Sequence, residues 1–537
     1  MKVFYKLLVC TLVLLGCGAL AYQAHAIPVK AGAITVTQPD GSKITIRMYG
    51  DEWASYITTD DGYGIERGED GFFYYVENSG KLSSVKARPA SARTAADRAA
   101  MANVKRGVPY GEMNAKRASF MAQNPQLAYR APAEAPRTSD RNLVILVEYS
   151  DKEFVVSSPN SYFTEFLNGD NFTQNGATGS VKKYYNDNSN GVYNATFDVP
   201  GPYKASKTHS YYSNYSYLSS RVPELVREIL NKMANEGFDF SPYAVGNKID
   251  QICLIYCGNN RAEGGTGIHP HQYYVGVGGS ATIGGYTFNK YLVTSELRDN
   301  GSTAAYAAGI GTFTHEYGHI IGLPDYYDTN YATQNLTPST YFVMDMGGYN
   351  NNGRTPSALS AINRWLLGWI EPEPLETSGN YTLPYIESSN KAYIIRISGT
   401  NGSDVGEYYL LETRSSTLGK WDKGLTSPLY SSITGGSAAR DGMFVMHIDR
   451  RSGTQLNKWS SNSVNDTNGH PNARPVCAVT TTYNNNYGTW TNQNRWVFPG
   501  YGNVTTLNST THPTFKPWAG TNDHKLTNIA YSNGTVT

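Results

Sequence analysis

Apolar and polar residues alternate along the first part of the chain, as in KITIRMYG at residues 43–50 and GFFYYVENSG at 71–80. Period-two alternation puts one face of a strand toward a core, and Asp40-Gly41 and Asp61-Gly62 supply turn chemistry between strands. A small β-rich region over residues 27–90 is therefore predicted. From residue 138 the pattern changes: LVILVEY and DQICLIYC read as buried strands, while VPELVREILNKMA at 222–234 has the spacing of an amphipathic helix. AAYAAGIGTFTHEYGHII at 304–321 is Ala-rich, largely apolar and free of proline, which predicts a buried helix ended by Gly322. Beyond residue 375, YTLPYI, KAYIIRIS, EYYLLET and GMFVMHI recur as strand-like segments between Gly, Asn and Ser, and predict a β-sandwich. The expected fold class is multidomain α+β, and the 537 residues suit about three domains.

Composition narrows the setting. With 45 basic and 44 acidic residues the net charge is +1, which gives no global electrostatic reason to expect nucleic acid as a partner. The local excess of Lys and Arg over residues 86–141 reads as a solvated helix and linker. Lys2 and Lys6 precede an apolar run, and Ala24-His25-Ala26 offers a small-residue cleavage site, so residues 1–26 read as an export signal. The product is expected to be secreted or on the cell surface, with no integral membrane segment once the signal is removed. Attachment of lipid at Cys17 is the alternative. Cys253 and Cys257 sit four apart in a predicted strand, too far for a disulfide, and with Cys477 read as core thiols.

The chemistry concentrates in THEYGHIIGLPD at residues 314–325. Positions four apart share a helix face, so His315 and His319 can aim both imidazoles at one ion while Glu316 stands beside them as a general base. A catalytic zinc commonly takes three protein ligands and a water molecule. No Glu occurs between Tyr317 and Ile370, and no His between His319 and His447, which leaves Asp325 and Asp328 as candidates for the third ligand; Asp325 has the better spacing. His269 and His271 are two apart, and packing is favoured there over a second metal site. His447, Trp421 and Asp449 read as structural residues.

His315, His319, Gly322 and Asp325 look like the metzincin pattern, with aspartate where many members carry a third histidine. HEYGHIIGLPDYYD closely resembles the secreted immune inhibitor A family of metallopeptidases, and weaker family-like blocks run from NLVILVEYSD at 142–151 to FPG at 498–500. The resemblance implies a metzincin-like catalytic domain over 138–374, a methionine turn at Met344 with Met346 as rival, and a C-terminal domain over 375–537. It also implies a propeptide over 27–137, including the basic linker, that covers the cleft until proteolysis between roughly Arg106 and Asn142. A permanent binding module is the rival reading of the N-terminal region. No cysteine lies between Ile27 and Asn142, so a thiol switch on the metal is excluded. Zn2+ is the implied cofactor. Ca2+ is possible, yet AVGNK at 244–248 is not a clear loop for it, since it lacks the carboxylates a hard cation requires.

The expected activity is a secreted zinc endopeptidase, made as a zymogen, acting on protein or peptide substrates. The competing expectation is a glycan- or surface-binding β-rich protein with a vestigial metal site, against which the intact Glu316 argues. Cleavage preference, activating protease and oligomeric state leave no mark in the sequence.

Overall fold

The computed structural model describes residues 27–537, apart from 52, 69, 124–137, 215–217, 277–278, 300, 331–332, 400–403, 428–430, 437 and 486–487. The expected export signal, Cys17 and part of the basic linker therefore lie outside the described residues. It is a mixed α+β structure with several sheets.

The alternating N-terminal segment forms six strands, β1 (Ala33–Thr37), β2 (Lys43–Gly50), β3 (Ser55–Thr59), β4 (Gly64–Arg67), β5 (Phe73–Val76) and β6 (Leu82–Lys86). Each pairs antiparallel with the next, so the sheet is a simple meander. Val36, Ile44, Ile46, Ile57, Ile65, Phe73 and Tyr75 point to one side and, with Met101 and Val104, form a core of their own. Short turns and local apolar contacts join these strands.

The central sheet has the order β11-β13-β10-β7-β8. Its parallel centre comprises β7 (Arg141–Glu148), β10 (Lys248–Asn259) and β13 (Tyr286–Leu297), flanked by β8 (Thr196–Asp198) and the antiparallel β11 (His271–Tyr274). β9 (Tyr203–Lys204) pairs with β7 and β12 (Ala281–Ile283) with β13. Helices cover both faces of this centre, and its strands read as continuous apolar runs for that reason. The helix Leu218–Asn235 buries Val222, Leu225, Val226, Ile229, Leu230 and Met233 against one face. The other face meets the helices Pro159–Asn168, Val181–Asn188 and Ile310–Ile321.

The last of these is shorter than its composition predicts. Residues 304–306 form a separate 3-10 turn and the α-helix begins at Ile310. Gly309 and Gly311 explain the late start, because the helix entry lies directly on backbone from the next loop. A Cβ on Gly311 would fall 1.9 Å from the Gly348 carbonyl oxygen, and one on Gly309 2.2 Å from Gly353.

Beyond residue 370 a five-stranded sheet runs β14-β16-β17-β18-β19, from β14 (Glu373–Pro374) through β16 (Tyr393–Gly399), β17 (Gly406–Arg414) and β18 (Gly442–Asp449) to β19 (Ala473–Pro475). β15 (Leu383–Pro384) belongs to a small three-stranded sheet with the C-terminal residues. Side chains alternate between two cores. Ile394, Tyr408, Leu410, Phe444, Met446 and Ile448 join the same core as the His315 helix, while Tyr393, Ile395, Tyr409, Leu411, Met443 and Val445 meet Leu383, Leu507, Phe515 and Val536. One face of this sheet thus packs on the central body and the other on the chain's last segment. No helix among the described residues is long and apolar enough to cross a membrane.

Candidate metal centre

Gly322 positions the site. It takes φ 106° at the C-terminus of the Ile310–Ile321 helix, in the left-handed region that glycine enters without a steric cost. Leu323 then donates its N–H back to the Gly318 carbonyl at 2.9 Å, and the reversed chain delivers Asp325 to the two imidazoles.

His315 Nε2 and His319 Nε2 lie 3.2 Å apart, and Asp325 Oδ1 lies 3.2 and 3.3 Å from them. Four ligands at zinc-like bond lengths in a tetrahedron stand about 3.3 Å from one another, so the triangle has the size of one face of such a site. The orientation fits as well. His315 Nδ1 is 2.8 Å from the Val343 carbonyl and His319 Nδ1 2.8 Å from the Leu323 carbonyl. Each carbonyl takes the Nδ1 proton and leaves the Nε2 lone pair directed at the shared centre. All three residues are buried, and among the described residues they are the one group of three or more His, Cys, Asp or Glu side chains able to hold an ion.

Asp325 is itself held. Its Oδ2 accepts from Asn462 Nδ2 at 2.6 Å, and its backbone N–H donates to Asn462 Oδ1 at 2.6 Å. This two-point clamp comes from 137 residues further along the chain. Asp328, the rival ligand, is used elsewhere. It accepts from the backbone N–H groups of Asn330 and Asn335 at 2.9 and 2.8 Å and from the Thr333 hydroxyl, and burial pushes its carboxyl up to about 7.

Glu316 is fully buried beside the cluster. Burial pushes its carboxyl up to about 8, opposed by the charge of His315 and the Ile27 N–H. Oε1 accepts that N–H at 2.7 Å, while Oε2 is buried without a hydrogen-bond partner. A carboxyl kept dry with one oxygen uncommitted is suited to receiving and returning a proton.

Met344 lies under the helix: a Cβ on Gly318 would stand 2.4 Å from its sulfur. Met346 instead packs with Ile27, Ala262 and Tyr349. Tyr349 donates its hydroxyl to the Pro28 carbonyl at 2.7 Å. His269 and His271 stay outside the cluster. His269 Nε2 is 3.0 Å from the Ile27 carbonyl, and His271 Nε2 is 2.9 Å from the Tyr291 hydroxyl. His447 is buried against Glu407 at 2.8 Å, well removed in the C-terminal sheet. Sequence reasoning missed Asn462 and the Ile27 contacts, and no local signal marks either.

Two histidines and a clamped aspartate converge on one point, with a dry glutamate beside them. Residues 128–368 match the family model described as immune inhibitor A peptidase M6, catalytic domain. The chain is 29% identical over 245 residues to the pre-pro-metalloprotease PrtV of Vibrio cholerae serotype O1, covering 39% of this chain and 26% of PrtV. It is 25% identical over 268 residues to immune inhibitor A of Bacillus thuringiensis subsp. alesti, covering 42% of this chain and 39% of that protein. The matches thus span about a quarter to two fifths of these relatives. The crystal structure of metalloproteinase-II from Bacteroides fragilis is 12% identical, covering 65% of this chain and 92% of its own, with a TM-score of 0.21, too low to bear on the fold.

Proposed function

We propose that the protein is a secreted zinc endopeptidase made as a zymogen, with His315, His319 and Asp325 holding the ion and Glu316 acting as general base. The observation that carries this reading is the near-equilateral triangle of two Nε2 atoms and one carboxylate oxygen, edged at 3.2–3.3 Å and buried next to Glu316. Zinc bound there supplies Lewis acidity, polarising a scissile carbonyl and lowering the pKa of water at neutral pH. The remaining work belongs to the chain. Glu316 takes the proton from the attacking water and returns it to the leaving amine nitrogen, and its Oε1 already faces an N–H at hydrogen-bonding distance. Val343 and Leu323 fix both imidazole tautomers, and Asn462 fixes the carboxylate. Met344 supports the helix between the two histidines from below.

Residues 27–137 are proposed to be the propeptide. Their separate core and their contact with Glu316 support that role. The name of the Vibrio relative, a pre-pro-metalloprotease, is consistent with it.

Replacing Glu316→Gln tests the chemistry. Casein hydrolysis by the processed enzyme should fall by roughly a thousandfold or more, while zinc content by elemental analysis stays near one per chain. Hydrolysis at the wild-type rate would remove Glu316 from the mechanism.

A further inference from the structure

The backbone nitrogen of Ile27 sits 2.7 Å from Glu316 Oε1. In peptide hydrolysis the group that activates water must finally protonate the leaving amine, and a nitrogen at this distance is within reach of that transfer. Two further contacts hold the residues that follow. His269 Nε2 meets the Ile27 carbonyl at 3.0 Å, and the Tyr349 hydroxyl donates to the Pro28 carbonyl at 2.7 Å. The Ile27 side chain is fully buried against Ala262, Met346 and Tyr349. Lys30 continues the attachment, with its N–H on the Ala262 carbonyl at 2.7 Å and its ammonium on Asp299 at 2.6 Å.

We propose that Ile27 fills the subsite for the first substrate residue beyond the cleaved bond, as a product-like plug. The pocket of Ala262, Met346 and Tyr349 would then select branched aliphatic residues at that position in substrates. His269 and Tyr349 are positioning residues that grip successive peptide carbonyls, first of the plug and then of the substrate. The expected removal of residues 1–26 fits this arrangement, since it would leave the Ile27 nitrogen as a terminal amine, the form a leaving group takes after hydrolysis. The inference rests on Glu316 being the base, as proposed above.

Two measurements test it separately from that reading. In the metal-free full chain beginning at Ile27, hydrogen exchange over residues 27–36 should speed up roughly tenfold in Ile27→Gly and stay near the wild-type rate in Ile27→Val. In the processed wild-type enzyme, peptide-library cleavage should favour Ile, Val or Leu over Gly just after the cut by roughly tenfold or more, and Met346→Trp should shift that preference toward small residues. Tyr349→Phe should raise KM with little change in kcat. Unchanged exchange in Ile27→Gly overturns the plug. A flat profile at that position, in an enzyme still dependent on Glu316, overturns the subsite and leaves the endopeptidase reading standing. Absence of any chelator-sensitive hydrolysis sinks the endopeptidase reading, and this inference with it.

Discussion

The two ends of the chain meet the metal centre in opposite ways. The N-terminal meander has its own core and reaches the site through a few residues at its head, Ile27 to Lys30. The C-terminal sheet has one core with the chain's last segment and shares its other core with the central body. Its inward face is part of the core that contains Phe313 and Tyr317 of the metal helix, and it reaches the site through Asn462. A segment that must leave gains from a core of its own. A segment that must hold a ligand in place gains from sharing the core it supports. On the proposed reading, the contact headed by Ile27 and joined by Trp53 on His271 and Tyr273 suits a cover with a core of its own, and the shared core beyond residue 375 suits a part that stays.

The strongest way to break this contrast is at Arg414. It is fully buried, bonds Asp422 through Nε at 2.6 Å and Glu412 at 2.9 Å, and reaches the Tyr341 carbonyl at 3.3 Å, tying the C-terminal sheet to the loop that carries Met344. Arg414→Ala strands two buried carboxylates and should cost about 3–5 kcal/mol. Denaturant unfolding followed by tryptophan fluorescence should show an earlier midpoint for the central body. If only the C-terminal sheet responds, the shared-core description fails.

Acid should act on the N-terminal contact. Burial pushes His269 down to about 4 and His271 down to about 3, and the His271 ring meets Trp53 of the meander edge-on at 5.7 Å. Both imidazoles stay neutral in the folded chain, whereas unfolded histidines take up protons below about 6.5. The unfolded state then binds more protons. Stability is complete above pH 6.5 and declines as pH falls toward 4, by on the order of 3 kcal/mol for a group shifted this far. Thermal melts from pH 7 to 4 should show the decline, and His271→Gln should flatten it.

Asn462→Ala is expected to have the smallest of these effects. Loss of a clamp on a metal-binding carboxylate costs roughly 10–100-fold in metal affinity. Zinc titration against a competing chelator should show that loss, while Asp328→Asn should leave affinity near wild type.

How far the sequence led can be judged from particular residues. His315, Glu316 and His319 were legible because helical periodicity is local, and Gly322 announced the turn that brings in Asp325. Strands KAYIIRIS, EYYLLET and GMFVMHI formed where alternation placed them, but alternation cannot say which partner covers each face. Here one face joins the core of the His315 helix and the other packs on the small three-stranded sheet. The helix expected from Ala304 starts at Ile310, because glycine spacing there answers to backbone some 40 residues away. Asn462 and Ile27 were illegible for the same reason: their partners lie 137 and 289 positions off.

That separation bears on the order of events during synthesis. A ribosome delivers both imidazoles and Asp325 long before it delivers Asn462, which adopts a left-handed backbone to grip the aspartate. The emerging polypeptide can carry every donor atom and still lack a rigid cradle. On the proposed assignment, the cradle becomes rigid only once the far end has docked, so a truncated or stalled translation product would grip the ion more weakly.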